Sequence, residues 1–279
     1  MSVHRLRALV IGIDEYPFLD PDRRLRGAVA DANAIASVMR EQSSKLDLTK
    51  LLNSRASREA VLGALDDLVA ATRSDDEVLV YWSGHGSQVP NQANDDEEED
   101  GWDETLVPYD SGRGRHPNRD ILDDEIYTRI KALNKVTDRI TFILDSCHSG
   151  TAVRTGVRGV PRDGRSAAAS GLSSRTEAPS NDKAAPRGSS GWLPAPDADT
   201  RYLLLAACRD DQEALELPFR GQMRGAFTWA LCRELERTQP GTTWKSVFGV
   251  VSKDIAFSTM GAQIPQIEGN ADRLALWTH

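Results

Sequence analysis

Two short stretches of this chain place a thiol, an imidazole and carboxyl groups where they could do covalent chemistry. They are "VYWSGHGS" (Val80 to Ser87) and "FILDSCHSG" (Phe142 to Gly150). The second sets Asp145 two residues before Cys147. A carboxylate beside a thiol makes the thiolate harder to form, so Asp145 does not activate Cys147. Either Cys147 is inert or Asp145 has work of its own. Side chains two apart on a strand point the same way, so Asp145 and Cys147 share one side, as do Ser83 and His85. His148, next to Cys147, faces elsewhere. The better base for Cys147 is therefore His85, brought alongside from a neighbouring strand. A Cys–His pair supplies the thiolate nucleophile and proton shuttle needed for acyl transfer through a thioester. Gly86 leaves its backbone N–H free to approach a developing oxyanion, and the N–H of Cys147 would complete the donor pair.

Rival chemistries fail on spacing. A phosphatase loop needs a cysteine, five residues and an arginine, and Arg154 comes one residue late. There is no C-x-x-C or H-x-x-x-H for zinc. Cys208 and Cys232 read as buried small hydrophobes.

The elements that must hold these groups follow from the pattern. "RALVIGI" (Arg7 to Ile13), "EVLVYWS", "RITFILDS" and "RYLLLAAC" are short apolar runs of the kind buried on both faces of a parallel sheet. "DLTKLLN" is a weaker strand. Leu25, Val29, Ala32, Ile35, Ala36 and Met39 recur at helical spacing. "SREAVLGALDDLVAAT" opens on Ser57, a plausible N-cap. "LDDEIYTRIKALN", "GAFTWALCRELERT" and "TWKSVFGVVSKDI" read as further helices, and a last short strand is expected around "RLALW". "NDDEEEDGWDE" reads as an acidic loop. Strands alternating with helices give an α/β fold, a mostly parallel central sheet with helices on both faces. In such a sheet ligand chemistry gathers beyond the carboxyl ends of the strands, where both polar clusters fall.

Thr151 to Thr200 interrupts this pattern, being rich in Ser, Ala, Gly and Pro. A structureless stretch of that length inside a domain is disordered or functional. The rest of the chain has ordinary globular proportions, 279 residues with 39% hydrophobic and 27% charged. A net charge of -8 argues against nucleic-acid and membrane-surface partners, which favour basic faces. Three cysteines make no disulfide framework and fit a reducing compartment. The N-terminal apolar run is too short for a signal peptide. A cytoplasmic protein is expected.

"SGHG" and "DSCHSG" together resemble the histidine and cysteine motifs of caspase-like cysteine peptidases, and within that group the metacaspases. The resemblance extends through "ALVIGIDEYP", "LRGAVADANAI", "DGWDETLVPYD", "LLLAAC", "GAFTWAL" and "QIPQIEG". It implies a single caspase-like domain over 1–279. Residues 1–150 would form a large-subunit-like part, 151–200 an inter-subunit-like loop and 201–279 a small-subunit-like part. It also implies an endopeptidase made as a zymogen, with His85 as base then acid, Cys147 as nucleophile, and Gly86 with Cys147 as oxyanion hole. Asp31, Ser83 and Asp145 match an acidic pocket for the Arg or Lys before the scissile bond, which answers what Asp145 is for. No organic cofactor is implied. Calcium activates many metacaspases, and Asp100, Asp123 and Asp124 match its ligands. Arg154 stands where a fourth carboxylate is expected, which puts calcium dependence in doubt, and a solvated acidic loop is the alternative. Expected partners are protein substrates with basic residues and an upstream activating protease. Arg154, Arg158, Arg162, Arg165, Arg175, Lys183 and Arg187 are candidate cutting sites for the enzyme itself or for that protease, with a solvated linker as the alternative. The rival reading is a catalytically silent relative that binds peptides or acts as a scaffold.

Overall fold

The structure is a computed structural model, and it describes residues 5–90, 102–147, 193, 201–209 and 212–275. The apolar runs form the centre. β1 (Leu6–Gly12), β2 (Leu46–Leu52), β3 (Glu77–Ser83), β7 (Ile140–Asp145), β8 (Leu203–Ala206) and β11 (Gln266–Gly269) make a six-stranded sheet in the order β11-β8-β7-β3-β1-β2. All neighbours are parallel except β11, which runs antiparallel to β8. The expectation of an α/β fold around a mostly parallel sheet holds.

Alternation along each strand sorts its side chains between two cores. Val10, Leu79, Tyr81 and Ile143 pack with Ile35 and Met39 of α1 (Ala28–Gln42), Leu231 of α4 (Ala226–Leu235) and Val251 of α5 (Trp244–Ser258). Leu9, Ile11, Val80, Trp82 and Phe142 pack on the other face with Leu65 of α2 (Arg58–Ala71) and Ile130 of α3 (Asp123–Asn134). Burial on both faces is why these strands read as continuous apolar runs.

Helix starts are fixed in two ways. Ser57 caps α2 as expected, its hydroxyl accepting from the Ala60 N–H at 3.2 Å. α1 has Gly27 at its N-cap and no capping side chain of its own. Carboxylates from elsewhere take over. Asp14, just beyond β1, accepts from the Ala28 N–H at 2.8 Å, and buried Glu216 of β9 (Glu216–Phe219) accepts from the Gly27 N–H at 2.9 Å. Glu216 therefore fastens a hairpin from late in the chain, β9 with β10 (Gln222–Gly225), onto the helix that carries Asp31.

Three expectations need correction. Trp102 to Glu104 are not loop but part of β5 (Trp102–Leu106), which pairs with β4 (Gly86–Pro90) and β6 (Ile121–Leu122) in a small antiparallel sheet. Among the described residues the last strand is β11, inside "QIPQIEG". Of the expected "RLALW" strand, Leu274 makes an isolated bridge to Thr243, and Leu276 and Trp277 lie outside the described residues. The β9–β10 hairpin adds two strands that the sequence pattern does not mark. Among the described residues no helix is long and apolar enough to cross a membrane.

Candidate active site

β1 lies between β2 and β3, so the chain leaves β1 in one direction along the sheet and later returns on its other side. The strand ends next to this reversal are the usual place for a ligand crevice in such sheets. Ser83 and Asp145 end β3 and β7 and are partners in register. The chain then continues as Gly84-His85-Gly86 on one strand and Ser146-Cys147 on the other. Gly86 sits hard against the second segment, because a Cβ there would overlap the Cys147 carbonyl oxygen. Only glycine lets the two backbones meet.

His85 is 3% exposed and held at four points. Its backbone N–H donates to the Tyr16 hydroxyl at 2.8 Å, the Tyr16 ring lies 4.6 Å from the imidazole, and its carbonyl accepts from the Val107 N–H at 3.1 Å. Its Nε2 is 2.6 Å from the Arg23 carbonyl oxygen. A carbonyl can only accept, so Nε2 carries the proton and Nδ1 is the basic nitrogen of the neutral ring. Cys147 is 2% exposed, and its sulfur accepts from the Ala214 N–H at 2.9 Å.

Asp31 and Asp145 are fully buried and meet around Gly225, where a Cβ would overlap Asp145 Oδ2 and come within 2.9 Å of Asp31 Oδ2. Asp31 Oδ1 accepts from Arg224 Nε at 2.5 Å, and Oδ2 from the Gly225 N–H at 2.8 Å. Asp145 Oδ2 accepts from the Thr228 hydroxyl at 2.6 Å and from the Thr228 N–H at 3.3 Å. The Thr228 hydroxyl is in turn 2.7 Å from the Tyr81 hydroxyl. Burial, then the charges of Asp31 and Asp145, push the Tyr81 hydroxyl well above its usual range, so it stays protonated. Burial alone would lower the Arg224 pKa, but the charge and hydrogen bond of Asp31 outweigh it and leave it raised. Ser83 Oγ is buried without a hydrogen-bond partner among the described residues.

The structure thus brings Gly86 against Cys147 and gathers Asp31 and Asp145 around one glycine, with Ser83 level with Asp145. Cys208 and Cys232 are buried as expected, and burial pushes the Cys232 thiol up. Sequence reasoning does not find Tyr16, the Arg23 carbonyl, the Ala214 N–H, Arg224 or Thr228. Thr228 lies in "GAFTWAL", where a hydroxyl three residues into an apolar helix is the available signal.

Residues 5–275 match the family described as Peptidase C14, caspase domain. The chain belongs to the caspase domain family. It is similar to metacaspase-1 of Sclerotinia sclerotiorum, 26% identical over 293 residues, covering 94% of this chain and 65% of the relative. It is also similar to metacaspase-1B of Aspergillus fumigatus, 26% identical over 263 residues, covering 84% and 62%. The chain therefore spans less than two thirds of these relatives' length. Among solved structures it resembles a Geobacter sulfurreducens protein, with a TM-score of 0.61, 23% identity and coverage of 94% and 92%. Caspase-1 from Spodoptera frugiperda gives a TM-score of 0.58 at 15% identity, covering 99% and 92%. These likenesses establish the caspase fold.

The positions expected to hold calcium fall only partly on the described residues. Asp123 and Asp124 open α3, while Asp100 and Arg154 lie outside the described residues. Burial pushes Asp123 up to about 8, with the charges of Asp124 and Asp103 adding to it and the Asp124 N–H drawing it down. Among the described residues no group of three His, Cys, Asp or Glu is arranged to hold a metal ion. The seven basic residues of the 151–200 segment also fall outside the described residues.

Proposed function

We propose that this caspase-domain chain is a cysteine endopeptidase that cleaves after Arg or Lys. The observation that carries the chemistry is the seam between "SGHG" and "DSC". It puts the Gly86 backbone against the Cys147 backbone and leaves His85 with a basic Nδ1. In the reaction, His85 takes the Cys147 proton and the thiolate attacks the peptide carbonyl carbon. The carbonyl oxygen becomes an oxyanion facing the N–H groups of Gly86 and Cys147. The C–N bond then breaks as His85 returns the proton to the departing amine. Water, deprotonated by His85, hydrolyses the thioester and restores the thiol. The basic preference is supported by Asp31 and Asp145, two fully buried carboxylates that meet around Gly225. A buried carboxylate is stabilised by a cation, as Asp31 is by Arg224, which favours substrates that bring one.

A peptide library digested by the wild type, Cys147→Ala, His85→Ala and Asp145→Asn tests both parts. Each of the first two should lose about 10⁴-fold or more in kcat, because nucleophile and base act as a unit. Asp145→Asn should raise KM and lower kcat for Arg and Lys peptides together. Most activity surviving in Cys147→Ala would defeat the mechanism, and efficient cleavage after Asp or Leu would defeat the specificity. The 2% exposure of Cys147 favours the rival, a silent peptide-binding scaffold. Labelling by a thiol-reactive probe at neutral pH separates them, since an inert buried cysteine does not react.

A further inference from the structure

The acidic pocket already contains a guanidinium, and it belongs to the chain itself. Arg224 lies in β10 of the β9–β10 hairpin, one residue before Gly225, the residue around which Asp31 and Asp145 meet. Its side chain is 9% exposed, and Nε bonds Asp31 at 2.5 Å. The guanidinium also lies 5.6 Å from the centre of the Trp229 ring. A carboxylate on one side and an aromatic ring on another are what an arginine side chain seeks.

Two features mark this as occupancy rather than a permanent structural pair. Arg224 Nη2 is buried and has no hydrogen-bond partner among the described residues. An unsatisfied buried donor is penalised by its desolvation, and that penalty disappears if the side chain swings into water. The hairpin that carries Arg224 is a two-stranded ribbon outside the six-stranded sheet and is fastened to α1 by Glu216, so displacement needs only the Arg224 side chain to move. Charge governs the encounter with an arriving substrate. With Arg224 in place Asp31 already holds a guanidinium, and a second one arriving there would meet a like charge. Both cannot be held on Asp31 at once.

We propose that Arg224 is a built-in competitor for the basic-residue pocket, holding Asp31 until the arginine or lysine of a substrate displaces it. This rests on the basic-specificity reading above. Arg224 then sets the affinity and discrimination of the pocket. A weak cation or a neutral side chain fails to displace it, and only a side chain that bonds the carboxylates better than Arg224 does enters.

The test uses the full chain as wild type, Arg224→Gln and Arg224→Met, the second keeping an apolar stem beside Trp229. KM and kcat are measured on a fluorogenic peptide with arginine before the scissile bond, with the inhibition constant of benzamidine as a mimic of the arginine head. If Arg224 fills the pocket about nine-tenths of the time, removing it lowers KM and the benzamidine constant about tenfold. Unchanged or raised values in a variant with wild-type circular dichroism overturn the proposal. Should both variants fail to fold, phenylglyoxal labelling of the wild type, mapped by mass spectrometry, gives the answer. Arg224 should be protected alone and labelled when benzamidine saturates the protein, and labelling that benzamidine does not alter overturns the proposal. Wild type and variants cleaving equally well after neutral residues would remove the specificity reading itself. Basic specificity with an unmoved KM would remove only the role of Arg224.

Discussion

Gly86 is the residue on which the proposed chemistry turns, because it fixes the distance between two strand ends. A methyl group there would overlap the Cys147 carbonyl oxygen, and that oxygen belongs to the backbone of a buried strand end that cannot give way easily. Gly86→Ala should therefore destabilise the fold by ~1–3 kcal/mol, the usual range for overpacking. Its effect on kcat should exceed what the loss of folded protein explains, since the Gly86 N–H is pushed away from the developing oxyanion. Denaturant midpoints alongside active-site-titrated kcat check this, and a fully active Ala variant would show that Gly86 donates nothing. The groups legible in the sequence at this scale are those whose chemical type clashes with their surroundings. Asp31 interrupts an apolar helix face, Asp145 ends a run of buried hydrophobes, and His85 stands between glycines. The groups that are not legible act through the main chain. The Arg23 carbonyl that fixes the His85 tautomer and the Ala214 N–H that meets the Cys147 sulfur have no residue type to announce them.

At the scale of elements, the strands buried on both faces are legible because two-sided burial demands unbroken apolar runs. The small strands are not. β4 ("GSQVP") and β5 ("WDETL") carry Ser, Gln, Asp, Glu and Thr, so nothing in their periodicity distinguishes them from loop. The pattern points one segment late for β11 because "RLALW" is more apolar than "QIEG", yet it is Gln266–Gly269 that meets the open edge of β8. α3 bears on calcium. Its first turn supplies Asp123 and Asp124, but the described residues gather no third ligand around them. Calcium affinity follows the number and charge of oxygen ligands. With Arg154 in place of a fourth carboxylate, any activation should need calcium of about 10⁻⁴ M or more, as in the weakest protein sites. An activity titration at fixed ionic strength measures it, and half-activation at low micromolar calcium would mean that other residues hold the ion.

For the molecule as a whole, the central sheet draws its strands from both sides of the 151–200 segment. β7 ends two residues before Cys147, β8 begins at Leu203, and the two are parallel neighbours. The connection between them is thus topologically required to fold but not to stay folded. Once β7 and β8 are paired, their contact and the two shared cores hold the halves together. The pocket residues themselves divide the same way, with Asp31 and Asp145 before the segment and Arg224 and Thr228 after it. Between Thr151 and Ser190 the sequence offers seven basic residues set among small ones, the composition a protease specific for Arg or Lys accepts as substrate. Cutting after one of Arg154, Arg158, Arg162, Arg165, Arg175, Lys183 or Arg187 should therefore give two fragments that remain associated. Wild type and Cys147→Ala, incubated separately, are compared by mass spectrometry for the cut and by size exclusion for association. Fragments in the wild type alone identify self-processing. The same fragments in both would assign the cut to another protease. A wild type that stays intact at full activity would rule out cleavage as a requirement, and fragments that separate without denaturant would contradict the shared-sheet argument.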